Sequence, residues 1–215
     1  VACMIATLAR SLTLPEVTLE ALWSLLGDNA HTVVWHEETL SAAETQAVLP
    51  PGVLVQKTVT VELGDPQQTR LLWTGAGDFC IERSSMRALA EILGVSRRAV
   101  KGATINPRHV DPLTAYGMEP GMVSPFLTPG FSSCLTGIVV QYWPIAWETT
   151  MQIAISLSCY ESLIIPLSSL RPLLQRYHEL AYPKLQLIEL DTADLLASLQ
   201  EQFIGPAEKN AKELA

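Results

Sequence analysis

The chain has 215 residues, 48% hydrophobic and 17% charged, with 14 prolines and 12 glycines. That length suits one domain, or one domain with a short appendage, and the composition excludes a disordered, collagen-like or low-complexity protein. Lysine and arginine number 14 against 22 acids, a formal charge of −8, so the protein as a whole is not a basic nucleic-acid binder.

The predicted elements follow in order. Leu19, Leu22, Trp23, Leu25 and Leu26 form one apolar helix face, with Gly27 as its stop. Residues 32–36 are β-branched enough for a short strand. Ser41 with Glu44 three residues later is a capping-box signal for a short helix, closed by Pro50 and Pro51. Residues 53–63 alternate strictly and predict a strand; Gly64, Asp65 and Pro66 turn the chain, and residues 70–74 return as its hairpin partner. Ser84 or Ser85 caps a predicted helix over 86–93, ended by Gly94.

Residues 102–130 carry four glycines and five prolines and predict loop with at most a short helical turn. Strands are predicted over 135–142, 151–158 and 163–167. A helix starts at Ser168 or Ser169 and reaches about His178. One more strand is predicted over 185–190 and an amphipathic helix over 192–203, with a charged, frayed tail after Gly205. Strands and helices without regular β-α-β alternation indicate an α+β domain.

Four cysteines (Cys3, Cys80, Cys134 and Cys159) are scattered without a Cys-x-x-Cys pair. They are too few and too dispersed for a disulfide framework, and reduced thiols in a cytoplasmic protein are expected. The longest apolar-looking uncharged stretch, 132–147, is broken by Pro144 and too short for a bilayer, and the apolar start of the chain lacks a basic n-region. No membrane partner is expected.

Two places point to chemistry. In the strand over 53–63, the odd positions are Val53, Val55, Lys57, Val59, Val61 and Leu63. Lys57 therefore falls on an apolar face among four valines. A lysine there reaches a cavity, an anion or a carboxylate, or else it is an edge-strand lysine that snorkels. The second place is Gly117-Met118-Glu119-Pro120-Gly121-Met122-Val123-Ser124-Pro125-Phe126. Its glycines and prolines fix a turn whose N–H groups are free of ladder duties and could hold a carbonyl, an oxyanion or a phosphate; a plain structural turn accounts for the same residues.

At these two places the sequence resembles the YbaK and prolyl-tRNA synthetase insertion-domain superfamily of aminoacyl-tRNA deacylases. Gln56-Lys57-Thr58-Val59 stands where that family has its Lys-Thr strand. Gly121-Met122-Val123-Ser124-Pro125 matches its glycine-x-x-x-proline loop, with Gly117 the glycine four residues earlier, and residues 86–94 resemble the helix before the loop.

The resemblance covers roughly residues 30–170, which implies a deacylase domain over 1–170 with a mixed, mostly antiparallel, barrel-like sheet, and a partly helical extension over 171–215. It implies hydrolysis of the ester joining a wrong amino acid to the terminal adenosine of a tRNA, with no metal or other cofactor. Lys57 would contact the adenosine or phosphate and Gly121 would offer its N–H to the carbonyl. Gly117, Met122, Ser124 and Pro125 would shape the pocket. The implied partners are tRNA and an aminoacyl-tRNA synthetase. Many members carry an aspartate at the end of the strand that here reads Ile138-Val139-Val140-Gln141, and a basic glycine-rich turn where Ser158-Cys159-Tyr160-Glu161-Ser162 stands. These departures favour the alternative, a non-catalytic module that binds tRNA or a protein.

Arg83, Arg87, Arg97, Arg98, Lys101 and Arg108 with one acid, Glu91, make a local +5 suited to tRNA phosphates or to a solvated face. His31 and His36 would fall on opposite faces of a strand and lack metal-site spacing. The apolar composition and the C-terminal helix would suit a homodimer interface.

Overall fold

In chain order the elements are α1 (Glu16–Leu26), β1 (Thr32–Trp35), α2 (Ala42–Val48), β2 (Val53–Glu62), β3 (Arg70–Ala76), α3 (Arg83–Leu93), α4 (Arg97–Lys101), β4 (Thr104–Ile105), α5 (Pro112–Tyr116), β5 (Gly137–Tyr142), β6 (Gln152–Ser156), β7 (Glu161–Pro166), α6 (Leu167–Ala181) and β8 (Gln186–Asp191). They come from a computed structural model that describes residues 14–27, 31–64, 69–77, 81, 83–128, 134–142 and 151–191. The fold is α+β: a mixed eight-stranded sheet flanked by helices. The turn at 65–68, the helix expected over 192–203 and the tail lie outside the described residues, as do Cys3 and Cys80.

Local signals account for most boundaries. Ser41 caps α2, its Oγ accepting from the Glu44 N–H at 3.2 Å, while the Glu44 carboxylate reaches back to the Leu40 N–H at 2.6 Å. Asp111 caps α5 by accepting from the N–H groups of Leu113 and Thr114, and Pro112 occupies the first helical position, where its missing N–H costs nothing. The helix predicted over 86–93 starts earlier, at Arg83, so Ser84 and Ser85 lie in its first turn and not at the cap. The stretch 102–130 holds more structure than predicted, because β4 borrows an edge of β2 and α5 is separately capped.

The strand order is β1-β7-β6-β2-β3-β5-β8, with β4 on β2. The pairs β1–β7, β6–β7, β2–β3 and β2–β4 are antiparallel; β2–β6, β3–β5 and β5–β8 are parallel. The predicted hairpin is present, with Gln56 opposite Ala76 and Glu62 opposite Arg70.

Alternation along the strands divides the core between two faces. Leu72, Ile138, Val140, Ile153 and Ile155 join a large cluster under α1 and α6 that includes Leu22, Phe126, Leu173 and Tyr177. Leu71, Trp73 and Val139 point the other way, to Met86 and Leu89 of α3 and Ala99 of α4. Full burial of a side chain such as Leu89 is worth about 2 kcal/mol, and Trp73 also donates its indole N–H to Gln141 at 3.0 Å. A third, smaller cluster of Leu49, Val53, Val55, Ala154 and Ile164 sits under α2.

Residues 171–191 are built into this core. Leu173, Leu174 and Tyr177 of α6 are buried, and β8 pairs with β5 over six positions. No helix among the described residues is long and apolar enough to cross a membrane.

Candidate functional site

On one edge β2 is fully laddered to β3 from Gln56 to Glu62. On the other edge it pairs with β6 only at Val53–Val55 and with β4 only at Val61 and Glu62. Between these two contacts residues 56–59 have no ladder partner on that edge among the described residues, and a cleft of about 400 Å³ opens there. Its walls are residues 56–60 of β2, the start of α2, the 106–110 segment, the 120–124 loop and the end of β6.

Lys57 lies where its register demands. On its face of β2, Val53 and Val55 belong to the small cluster under α2, whereas Val59, Val61 and Leu63 belong to the cluster under α3 and α4. Lys57 occupies the gap between the two, half-buried, and lines the cleft. An ammonium in an interrupted apolar face can reach solvent and ligand together, which a continuous core would forbid.

The 117–126 loop meets the cleft from the far half of the sequence. Gly117 ends α5 in the left-handed conformation, φ +69°, with its N–H on the Leu113 carbonyl at 3.0 Å. Gly121 has φ +90°, and a Cβ there would stand 3.0 Å from the Leu40 carbonyl oxygen, so only glycine lets the loop lie against the start of α2. The Gly121 N–H has no acceptor among the described residues. Met122 closes the turn by donating to the Glu119 carbonyl, and the Ser124 Oγ accepts from the Phe126 N–H. Past the loop, the Leu127 carbonyl accepts hydrogen bonds from both Tyr177 and Tyr182 of the α6 region, which ties the loop to the large core.

The structure thus brings Lys57, Gly121, Met122 and Ser124 together at one cleft. Gly117 and Pro125 are not among the lining residues; Gly117 acts as the helix stop that aims the loop. Arg87, Arg97, Arg98 and Lys101 are exposed on α3 and α4 and do not line the cleft, and the Arg83 side chain lies outside what is described. Arg108 is the member of the basic run that does. Of the other lining residues, Thr39, Leu40 and Thr45 carried no sequence signal beyond the capping box beside them, Ser156 carried none, and Ser158 entered only as the start of the turn that departs from the family pattern.

Most hydroxyls on the walls are already committed. The Thr39 and Thr45 hydroxyls bond each other at 2.9 Å, Thr58 donates to Thr74 at 3.0 Å, Thr60 meets the Tyr116 phenol at 3.1 Å, and Ser158 accepts from the Tyr160 N–H. Burial pushes the Tyr116 hydroxyl above its usual range, so it remains protonated beside Thr60. Among the described residues lining the cleft the charged ones are Lys57 and Arg108, with no Asp, Glu, His or Cys. Such a cleft selects an anionic ligand and offers a reacting group fixed dipoles instead of a general base.

The two histidines weighed as a metal pair have separate duties. His31 lies against Trp23 with ring centroids 5.6 Å apart, and His36 bonds the Ser162 hydroxyl and the Glu37 carbonyl. Cys134 and Cys159 are free thiols, Cys159 buried.

Fold and site define an α+β protein with a small cationic cleft at an interrupted sheet edge. No protein-family model matches the chain, and no curated protein matches it. Among solved structures it is similar to the crystal structure of hypothetical protein APE2540, at 14% identity and a TM-score of 0.47, over 80% of this chain and 97% of that one.

Proposed function

We propose that the protein is an aminoacyl-tRNA editing hydrolase, cleaving the ester between a wrongly attached amino acid and the terminal adenosine of its tRNA. The observation that carries this reading is the meeting of Lys57 with the Gly121–Ser124 turn in one cleft. These are the two motifs on which the resemblance to the YbaK-like deacylases rests, and they come from distant parts of the sequence.

In this reading Lys57 holds the nucleotide end by charge, and the Gly121 N–H faces the ester carbonyl. Water adds to that carbonyl, the oxyanion accepts from the Gly121 N–H, and the bond between the acyl carbon and the ribose oxygen breaks, with a proton passing from the added water to the departing ribose oxygen. With no carboxylate or imidazole among the described lining residues, rate comes from positioning and from preorganised donors, one of which is worth about 10²–10³ in kcat. Met122 and Ser124 bound the amino-acid end, and Pro125 stiffens the turn behind them. No metal or other cofactor is needed.

The exposed cations of α3 and α4, Arg87, Arg97, Arg98 and Lys101, together with Arg83, would meet acceptor-stem phosphates outside the cleft. The reading places the protein in the cytoplasm with charged tRNA and a synthetase, as a monomer or homodimer.

The lack of any acid, imidazole or thiol among the described lining residues favours a second reading, a binding module of the same fold. Incubation with mischarged tRNA separates them. An editing enzyme releases free amino acid with turnover, and a binding module retards the tRNA in a gel without releasing any.

A further inference from the structure

The 106–110 segment is fastened to β2 at two points that flank Arg108. Asn106 takes the left-handed conformation, φ +48°, which asparagine tolerates better than most residues. It donates its N–H to the Thr60 carbonyl at 2.7 Å and accepts the Thr60 N–H on its side-chain oxygen at 2.9 Å, so one residue continues the ladder where β4 has ended. Two positions along β2, Glu62 accepts from His109 Nε2 at 3.1 Å while also pairing with Arg70 at 2.8 Å. Pro107 is buried, and the Val110 N–H closes the turn on its carbonyl at 3.0 Å.

At the tip of this clasp Arg108 is exposed, lines the cleft, and has no hydrogen-bond or ion-pair partner among the described residues. Arg70 and Arg171, by contrast, pair with Glu62 and Glu189. The fold therefore orders a turn on both sides of a guanidinium and supplies it with no acid. A guanidinium presents a planar fork of donors that fits a phosphate in two-point contact, which the point charge of Lys57 does not.

We infer that Arg108 is a second phosphate-binding residue of the cleft, presented by the Asn106–Thr60 and His109–Glu62 fastenings. The inference rests on the nucleotide-binding reading above and adds a named contact to it: Arg108 takes the phosphate on the 5′ side of the bound adenosine. That phosphate belongs either to the phosphodiester of an RNA 3′ end or to a free nucleotide.

The test is calorimetric titration of the whole protein with adenosine, 5′-AMP and the trinucleotide CCA. Wild-type protein binds AMP about tenfold more tightly than adenosine, the worth of one partly solvated charge-assisted contact. Arg108→Ala removes most of that advantage and leaves adenosine binding within about twofold, and Arg108→Lys restores part of it. His109→Ala, which loosens the clasp without touching ligand, lowers the AMP advantage and spares adenosine. Arg108 dependence with both AMP and CCA means that a terminal phosphate suffices; dependence with CCA alone assigns the phosphodiester.

An AMP-to-adenosine ratio unchanged in Arg108→Ala, together with CCA binding unchanged, overturns the inference. So does failure of wild-type protein to bind either phosphate-bearing probe. Arg108-dependent binding without ester hydrolysis would retire the editing reading and keep this one, whereas hydrolysis with an unchanged ratio would retire this one alone.

Discussion

Replacing Gly121 with alanine separates two costs that the structure lets one count. Gly121 and Gly52 share nearly the same backbone conformation, φ +90° and +84°, but a Cβ on Gly52 meets nothing within 4 Å, whereas on Gly121 it stands 3.0 Å from the Leu40 carbonyl oxygen. Gly52→Ala therefore pays the left-handed strain alone, about 1–2 kcal/mol. Gly121→Ala pays that and a contact with backbone that cannot swing aside, about 1–3 kcal/mol more. In a domain of this size each kcal/mol lowers the melting temperature by about 2–4 °C, so Gly121→Ala melts clearly below Gly52→Ala. Because the relieving movement slides the 120–124 loop off Leu40, the Gly121 N–H leaves its place, and a shift of about 1 Å costs roughly a hundredfold in ester release. Thermal melts of both variants with parallel deacylation assays measure this. Equal melting of the two variants, or full activity in Gly121→Ala, would refute the reasoning.

Three further outcomes are expected. Tyr116→Phe strands the buried Thr60 hydroxyl and costs about 1–2 kcal/mol in urea unfolding, while the double variant Tyr116→Phe, Thr60→Val recovers part of the loss; strict additivity would contradict the pairing. The Arg70 guanidinium holds the Glu62 carboxyl below its usual range, so its stabilisation is complete above the unfolded-state pKa and disappears as pH falls through the lower folded value. Melting temperature followed from about pH 5 to about pH 3 should accordingly fall less steeply in Glu62→Gln than in wild type. Lys57→Ala, in a gap between apolar clusters, should melt close to wild type while losing ester release; a large loss of stability would mark Lys57 as structural.

What could be read from the sequence follows the range of each interaction. The alternation over residues 53–63 placed Lys57 on the apolar face, and the clusters flanking it in β2 give that placement its physical sense. The capping box at Ser41 and Glu44, the hairpin and the Gly27 stop are local, and local residues encode them. The Asp111-Pro112 pair carried a cap signal of the same kind that prolines and glycines nearby obscured. Ser96, whose side chain accepts from the Ala99 N–H, likewise starts α4 inside what reads as a connection.

Nonlocal features were not legible. The parallel pairings of β5 with β3 and β8 place residues 186–191 in the core, and no short motif announces them. The cleft exists because β6 and β4 leave part of one edge of β2 unpaired, a consequence of where two distant strands stop. For the same reason the basic run divides in space: Arg87, Arg97, Arg98 and Lys101 are not among the lining residues, and Arg108 reaches the cleft because Asn106 and His109 are fastened to β2.

The most direct test of the central claim is a deacylation screen of purified protein against tRNAs carrying labelled cognate and non-cognate amino acids, with Lys57→Ala alongside. Release from at least one mischarged species is expected, with its loss in the variant at unchanged melting temperature. No release from any species, or equal release by Lys57→Ala, would contradict it.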